Sequence, residues 1–182
     1  MKYKKILLSF IPFAVTITAL CFLSYVIVQQ NYRQSANDPQ IQLVEDMAQT
    51  LQNNSQVQLR VSNHPVDIRN SLAPFLMVFD AKGKILASNG QIDGKDPILP
   101  SGVFPYVQKH KEERLTWEPK NNVRLAAIVK KYNGKHSGFV VAARSLREIE
   151  KRENDLTQII VLAWIFTLLG CFISIEAVKR MS

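Results

Sequence analysis

Two uncharged apolar runs bracket the chain. Residues 6–28 hold no charge in 23 positions and residues 159–175 none in 17. At about 1.5 Å of helical rise per residue the first run reaches roughly 34 Å, enough to cross a hydrocarbon core of about 30 Å. The second reaches about 25 Å and extends to Val178 if Glu176 lies at the interface. Both are expected to be transmembrane helices, over residues 6–28 and 156–178. The start, Met1-Lys-Tyr-Lys-Lys5 before an apolar run, also suits a secretory signal. Its apolar stretch is longer than a typical signal core, and bulky Gln29-Gln-Asn-Tyr-Arg33 follows where a small-residue cleavage site belongs, so an uncleaved anchor is preferred. Pro12 is tolerated near the start of such a helix as a kink.

Between the runs the periodicity changes. Asn37-Asp38-Pro39 reads as a helix start, and Ile41, Val44, Met47, Ala48 and Leu51 recur at helical spacing up to Asn53-Asn54-Ser55. Residues 57–61 are a candidate strand, and residues 65–72 one or two helical turns. Pro74-Phe-Leu-Met-Val-Phe79 and Lys84-Ile-Leu-Ala-Ser88 then read as strands around an Asp80-Ala-Lys-Gly83 turn, in which Gly83 supplies a positive φ. Asn89-Gly90 and Asp93-Gly94 mark further turns, and residues 102–111 suit a short helix. Three strands close the segment: residues 114–118, stopping at Pro119; residues 123–129, with Val123, Leu125, Ala127 and Val129 on one face; and residues 137–143, with Phe139, Val141 and Ala143 on one face. Ser145-Leu-Arg-Glu148 has the form of a capping box, opening a helix that can run unbroken into the second apolar run. The expected class is α+β: a five-stranded antiparallel sheet with helices on one side, between two transmembrane helices.

Charge orients this layout. The chain has 182 residues and a formal net charge of +8. Lys2, Lys4 and Lys5 precede the first span, and Lys179 and Arg180 follow the second, which places both tails (residues 1–5 and 179–182) in the cytoplasm and residues 29–155 outside. That exterior segment carries 18 of the 23 basic and 14 of the 15 acidic residues, interspersed, so no nucleic-acid surface is read from it. Cys21 and Cys171 both fall within the spans, leaving the exterior without a disulfide framework. The glycosylation sequon Asn53-Asn-Ser55 means nothing if the source is bacterial, as the two-span architecture suggests.

The order helix, two strands, a loop with a helix, then three antiparallel strands, together with the Val78-Phe-Asp-Ala-Lys-Gly-Lys-Ile-Leu86 hairpin, resembles the PAS-like or Cache-like extracytoplasmic domains of bacterial sensor kinases and chemoreceptors. The resemblance covers roughly residues 38–145 and the flanking spans. It implies a domain between two membrane helices, in a bacterial inner membrane, that binds small molecules or protein partners. Those receptors continue into a HAMP segment, a kinase core or a methylated coiled coil, whereas this chain ends four residues after Val178. It is therefore expected to signal through a separate membrane partner.

The candidate chemistry is sparse. His64, His110 and His136 lack a second ligand at metal-binding spacing, and no nucleophile elbow, zincin or phosphate-loop pattern occurs. Neither an enzyme nor a cofactor is expected. Ligand binding is the better wager. In the resembling sensors the region of Tyr106, Trp117 and Arg124 lines the ligand site, which makes these three the candidates for an anionic or amino-acid-like ligand. The competing reading leaves Arg124 solvated on an open sheet face and Trp117 as core or edge packing. Within the spans, Ala14-x-x-x-Thr18 and Gly170-x-x-x-Ser174 are small-xxx-small patterns, consistent with pairing of the two spans or with a homodimer. A non-enzymatic envelope scaffold, or an accessory subunit of a membrane complex, is the alternative function.

Overall fold

A computed structural model describes residues 2–35, 37–53, 61, 64–134 and 137–181, with backbone only for residues 2–5. The chain divides into a domain over Gln34–Ile149 and a helical unit made of its two ends, up to Arg33 and from Glu150.

The domain is built on one antiparallel sheet. Helix α1 (Lys2–Ser35) belongs mainly to the helical unit, and α2 (Asp38–Asn53) opens the domain. Asn37 starts α2 through its carbonyl, which accepts the N–H groups of Gln40 and Ile41. Next come the short β1 (Val66–Asp67), then β2 (Phe75–Asp80), β3 (Ile85–Ser88), the short β4 (Gly90–Gln91) and α3 (Val103–His110). The long strands β5 (Glu112–Lys120), β6 (Val123–Tyr132) and β7 (Gly138–Ser145) lead into α4 (Arg147–Met181). The main sheet has the order β3-β2-β7-β6-β5, all antiparallel, so the last strand, β7, sits in the centre between β2 and β6. Asp80 organises the β2–β3 turn: its Oδ1 accepts the N–H groups of Lys82 and Lys84, each at 2.8 Å, and Gly83 takes φ 79°.

Helices cover both faces of this sheet rather than one. The odd-numbered residues Phe75, Met77, Leu125, Val129 and Val141 pack with Trp117 against Val103 and Val107 of α3. The even-numbered Val78, Ile128, Val140 and Ala142 pack against Val44, Met47, Ala48 and Leu51 of α2. The central strands are apolar at nearly every position, which is the pattern of a sheet buried on both sides. Reading only the alternating large residues hides the second face.

Three further boundaries differ from expectation. Strand β5 continues past Pro119 to Lys120, because it is an edge strand with a register shift between Trp117 and Lys120, where a residue without an N–H costs little. Residues 65–72 contain β1 and then one turn, closed by the N–H of Ser71 on the carbonyl of Asp67. Helix α4 begins at Arg147, and the Ser145 hydroxyl accepts the Arg147 N–H at 3.3 Å. The candidate strand at residues 57–61 and the sequon serine lie outside the described residues, apart from Val61, which is buried with the α2-side core.

In the helical unit, α1 and α4 are long and apolar enough to cross a membrane, and their apolar side chains face outward: Leu8 is 69% exposed, Phe22 67% and Phe166 69%. A core helix of a soluble domain would bury such residues.

Candidate functional site

The cavity that stands out in the domain lies beside the two short strands, not between sheet and helix. β1 and β4 pair in parallel, Val66 opposite Gly90 and Asp67 opposite Gln91. Backbone bonds from Val66 N–H to Asn89 O (2.6 Å) and from Ile68 N–H to Gln91 O (3.0 Å) fasten the pair. Asn89 is itself tied to β2, its Oδ1 accepting the Leu76 N–H at 2.8 Å. Two loops distant in sequence are thereby held side by side. They enclose an open cleft of about 440 Å³ lined by Pro65, Asp67, Arg69, Asn70, Gln91, Asp93 and Gly94.

Each wall is ordered by its own local chemistry. Asp67 accepts the Arg69 N–H on Oδ1 (3.0 Å) and the Asn70 side-chain amide on Oδ2 (2.6 Å), an Asx turn that fixes where both side chains emerge. Opposite, Asp93 and Gly94 adopt φ 51° and 74° between Ile92 and Lys95, whose backbones exchange two hydrogen bonds. Two consecutive positive φ values make this a type I′ turn, for which Asp-Gly is a favoured pair. The Arg69 Nη1 donates to Asp93 Oδ1 at 2.9 Å across the cleft, and Lys120 Nζ donates to Asp93 Oδ2. The hydrogen bond from Lys120, and then that from Arg69, hold the Asp93 carboxyl below its ordinary pKa, so it stays ionised through the physiological range.

The cleft therefore presents in its lining a guanidinium, two carboxylates and the carboxamides of Asn70 and Gln91, with the Lys120 ammonium, outside the lining, bonded to Asp93. Its polar lining and near-balanced charge suit a small charged or dipolar molecule, or a charged side chain of a protein partner. The turn behind it is gripped from the end of β7 and the start of α4: Arg144 Nε donates to Leu72 O (3.0 Å), and Arg147 donates to Arg69 O (3.2 Å) and Asn70 O (3.0 Å).

The residues singled out from sequence are not gathered here. Trp117 is 3% exposed in the α3-side core, opposite Leu125 in the ladder. Arg124, the residue before Leu125, projects exposed from the other face. Tyr106 is 46% exposed on α3, its ring stacked on His110 with centroids 4.1 Å apart. The structure does not bring the three together. Between sheet and α3 the space they were expected to line holds Phe79, Phe104 and Phe139, with ring centroids 4.9 and 4.8 Å apart. His136 lies outside the described residues.

Of the span motifs, Ala14 is half-buried and Thr18 accepts the Trp164 indole N–H at 2.9 Å, which puts that pair on the α1–α4 contact. Gly170 and Ser174 are exposed, and a Cβ on Gly170 would meet nothing within 4 Å. Sequence reasoning saw Asp93-Gly94 only as a turn and did not single out Asp67 or Arg69. Nothing local links residue 69 to 93 or 120; the β1–β4 pairing and the end of β5 do.

Compared with protein-family models and with curated proteins, the chain matches none.

Proposed function

We propose that this chain is a two-pass membrane protein of bacterial type whose PAS- or Cache-like exterior domain binds a small charged ligand and passes the signal to a separate membrane partner. In this reading both tails are cytoplasmic and residues 29–155 lie outside. The observation that carries it is the polar cleft held, through Arg147, by the first residue of the one helix that runs on to Met181. The element order on which the resemblance rests supports it too: a helix, two strands, a loop with a helix, and three antiparallel strands.

Thermal-shift screening of the full chain in nanodiscs against small carboxylates, amino acids, amines and phosphates tests the binding. At least one class is expected to raise the melting temperature, and that rise should vanish in Arg69→Leu. No stabilisation by any class counts against a ligand sensor. Topology is tested separately, in a chain with Cys21 and Cys171 replaced by Ser and single cysteines placed at residues 36 and 181. A membrane-impermeant alkylating reagent is expected to label the first and not the second in intact cells.

A second reading is favoured by the filled interface between sheet and α3, where Trp117 and three Phe rings leave the aromatic space packed. Here the exterior domain is an interaction module of a membrane complex. Cross-linking in intact cells, followed by recovery of one fixed stoichiometric partner without any small-molecule binding, would select it.

A further inference from the structure

We infer that Arg147 is a positioning residue of the cleft, which makes the first turn of α4 sensitive to the state of the Arg69–Asp93 pair; this rests on reading the cleft as the input site. The guanidinium spends two nitrogens on two consecutive carbonyls: Nη1 donates to Arg69 O at 3.2 Å and Nη2 to Asn70 O at 3.0 Å. These carbonyls belong to the turn that carries the cleft's own Arg69 and Asn70 side chains. Three residues earlier, Arg144 holds the next part of that turn through Leu72 O at 3.0 Å. Between the two arginines the Leu146 N–H donates to Arg124 O at 2.9 Å, which anchors the strand-to-helix junction on β6.

On its other side the turn is tied into the cleft. Asp67 fixes the Arg69 N–H and the Asn70 amide, and the Arg69 guanidinium reaches Asp93. Arg69 thus has its side chain on the cleft and its carbonyl on α4. Anything that draws the Arg69 guanidinium off Asp93 rotates the same short turn whose carbonyls Arg147 holds. The planar fork sets two N–H donors, on two nitrogens, rigidly against the two carbonyls; a lysine ammonium carries its donors on one nitrogen at the end of a flexible stem and does not reproduce that geometry.

The test needs no ligand, because Asp93→Asn weakens the Arg69 partner directly. Amide hydrogen exchange is measured on the full chain in nanodiscs at residues 151–154, whose N–H groups bond to the carbonyls of the first turn of α4, relative to the core amide of Val140. In the wild-type background Asp93→Asn is expected to change this ratio by about threefold or more. In Arg147→Ala and in Arg147→Lys backgrounds the same substitution is expected to change it by less than about 1.5-fold, because the fork is gone in both. An equal response in all backgrounds overturns the inference, as does no response in the wild type. A response shared by Val140 also overturns it, because the effect is then global unfolding. Failure of every ligand in the thermal-shift screen would count against the sensor reading and leave this coupling measurable, so the two fail separately.

Discussion

Gln40 is the one buried polar residue of the described core, fully inaccessible, with its Nε2 donating to Ala126 O at a long 3.4 Å and its Oε1 without a partner. A buried amide that makes one weak bond and leaves its acceptor orphaned costs more than it returns, by about 1–3 kcal/mol for the unmet group. Gln40→Met keeps the length and removes that group, so denaturant unfolding should show a gain of about 1 kcal/mol. A loss would mean that the bond to Ala126 outweighs the orphaned oxygen. Tyr132 is the other notable buried group, 2% exposed, its hydroxyl aimed at Phe79 O. Burial, and secondarily the nearby Asp80 charge, raise its pKa above the usual 10.0. The folded state thus prefers the neutral phenol, so its contribution is fully present below pH 10 and is lost as pH rises from there through the folded pKa. As pH rises above 10, the unfolding free energy of wild type should fall more steeply than that of Tyr132→Phe. Parallel slopes would remove Tyr132 from the alkaline transition.

At the level of elements, the parts set by local period were legible and the parts set by long-range pairing were not. The stripe Val44, Met47, Ala48 and Leu51 announced α2, and all four are buried. The β2–β3 hairpin followed from Asp80 and Gly83, and all five long strands lie where apolar runs placed them. The second covered face went unread because Ala126, Ile128, Val140 and Ala142 look incidental beside the larger residues that alternate with them. The cleft went unread because its charged groups stand at 67, 69, 93 and 120, and only the two-residue β1–β4 pair and the irregular end of β5 bring them together. Gly138 shows the same limit. It reads as an unremarkable strand start, yet a Cβ there would stand 2.1 Å from Phe79 O and 2.8 Å from the Tyr132 hydroxyl. Neither neighbour can yield easily, since one is ladder backbone and the other a buried ring. Gly138→Ala should therefore destabilise the domain by about 2–4 kcal/mol, a cost of overpacking against backbone, read as a lowered melting temperature of the sheet. A change below about 0.5 kcal/mol would mean that β2 and β7 can separate locally without cost.

For the whole molecule the decisive architecture is the pairing of α1 with α4. The contacts run in opposite senses along the two helices: Lys179 Nζ donates to Ser9 Oγ, Phe10 meets Phe172 edge-on at 5.7 Å, Trp164 donates to Thr18, and Arg33 pairs with Glu153 at 3.1 Å. This antiparallel register puts the early part of α1 and the late part of α4 at the same end of the pair, as the proposed two-pass topology requires if Lys2, Lys4, Lys5, Lys179 and Arg180 are to share one membrane face. In the membrane setting proposed above, no hydrophobic gain drives two apolar helices together, so packing and the few polar contacts decide how firmly they hold. The Trp164–Thr18 bond, at 2.9 Å, is the polar contact placed deepest in both apolar runs. Thr18→Val keeps the shape and deletes the acceptor. Hydrogen bonds between membrane helices average about 0.6 kcal/mol, so the pair should weaken by about that much, close to threefold in its association equilibrium. Titration of the full chain with a denaturing detergent, followed by Trp164 fluorescence, should move its midpoint down by a small but resolvable step. Phe10→Ala, which removes the ring packed on Phe172, should move it further, because packing rather than polarity carries most of the contact. The reverse order, with Thr18→Val the larger loss, would make the hydrogen bond the main tie between the helices and leave the aromatic contact secondary.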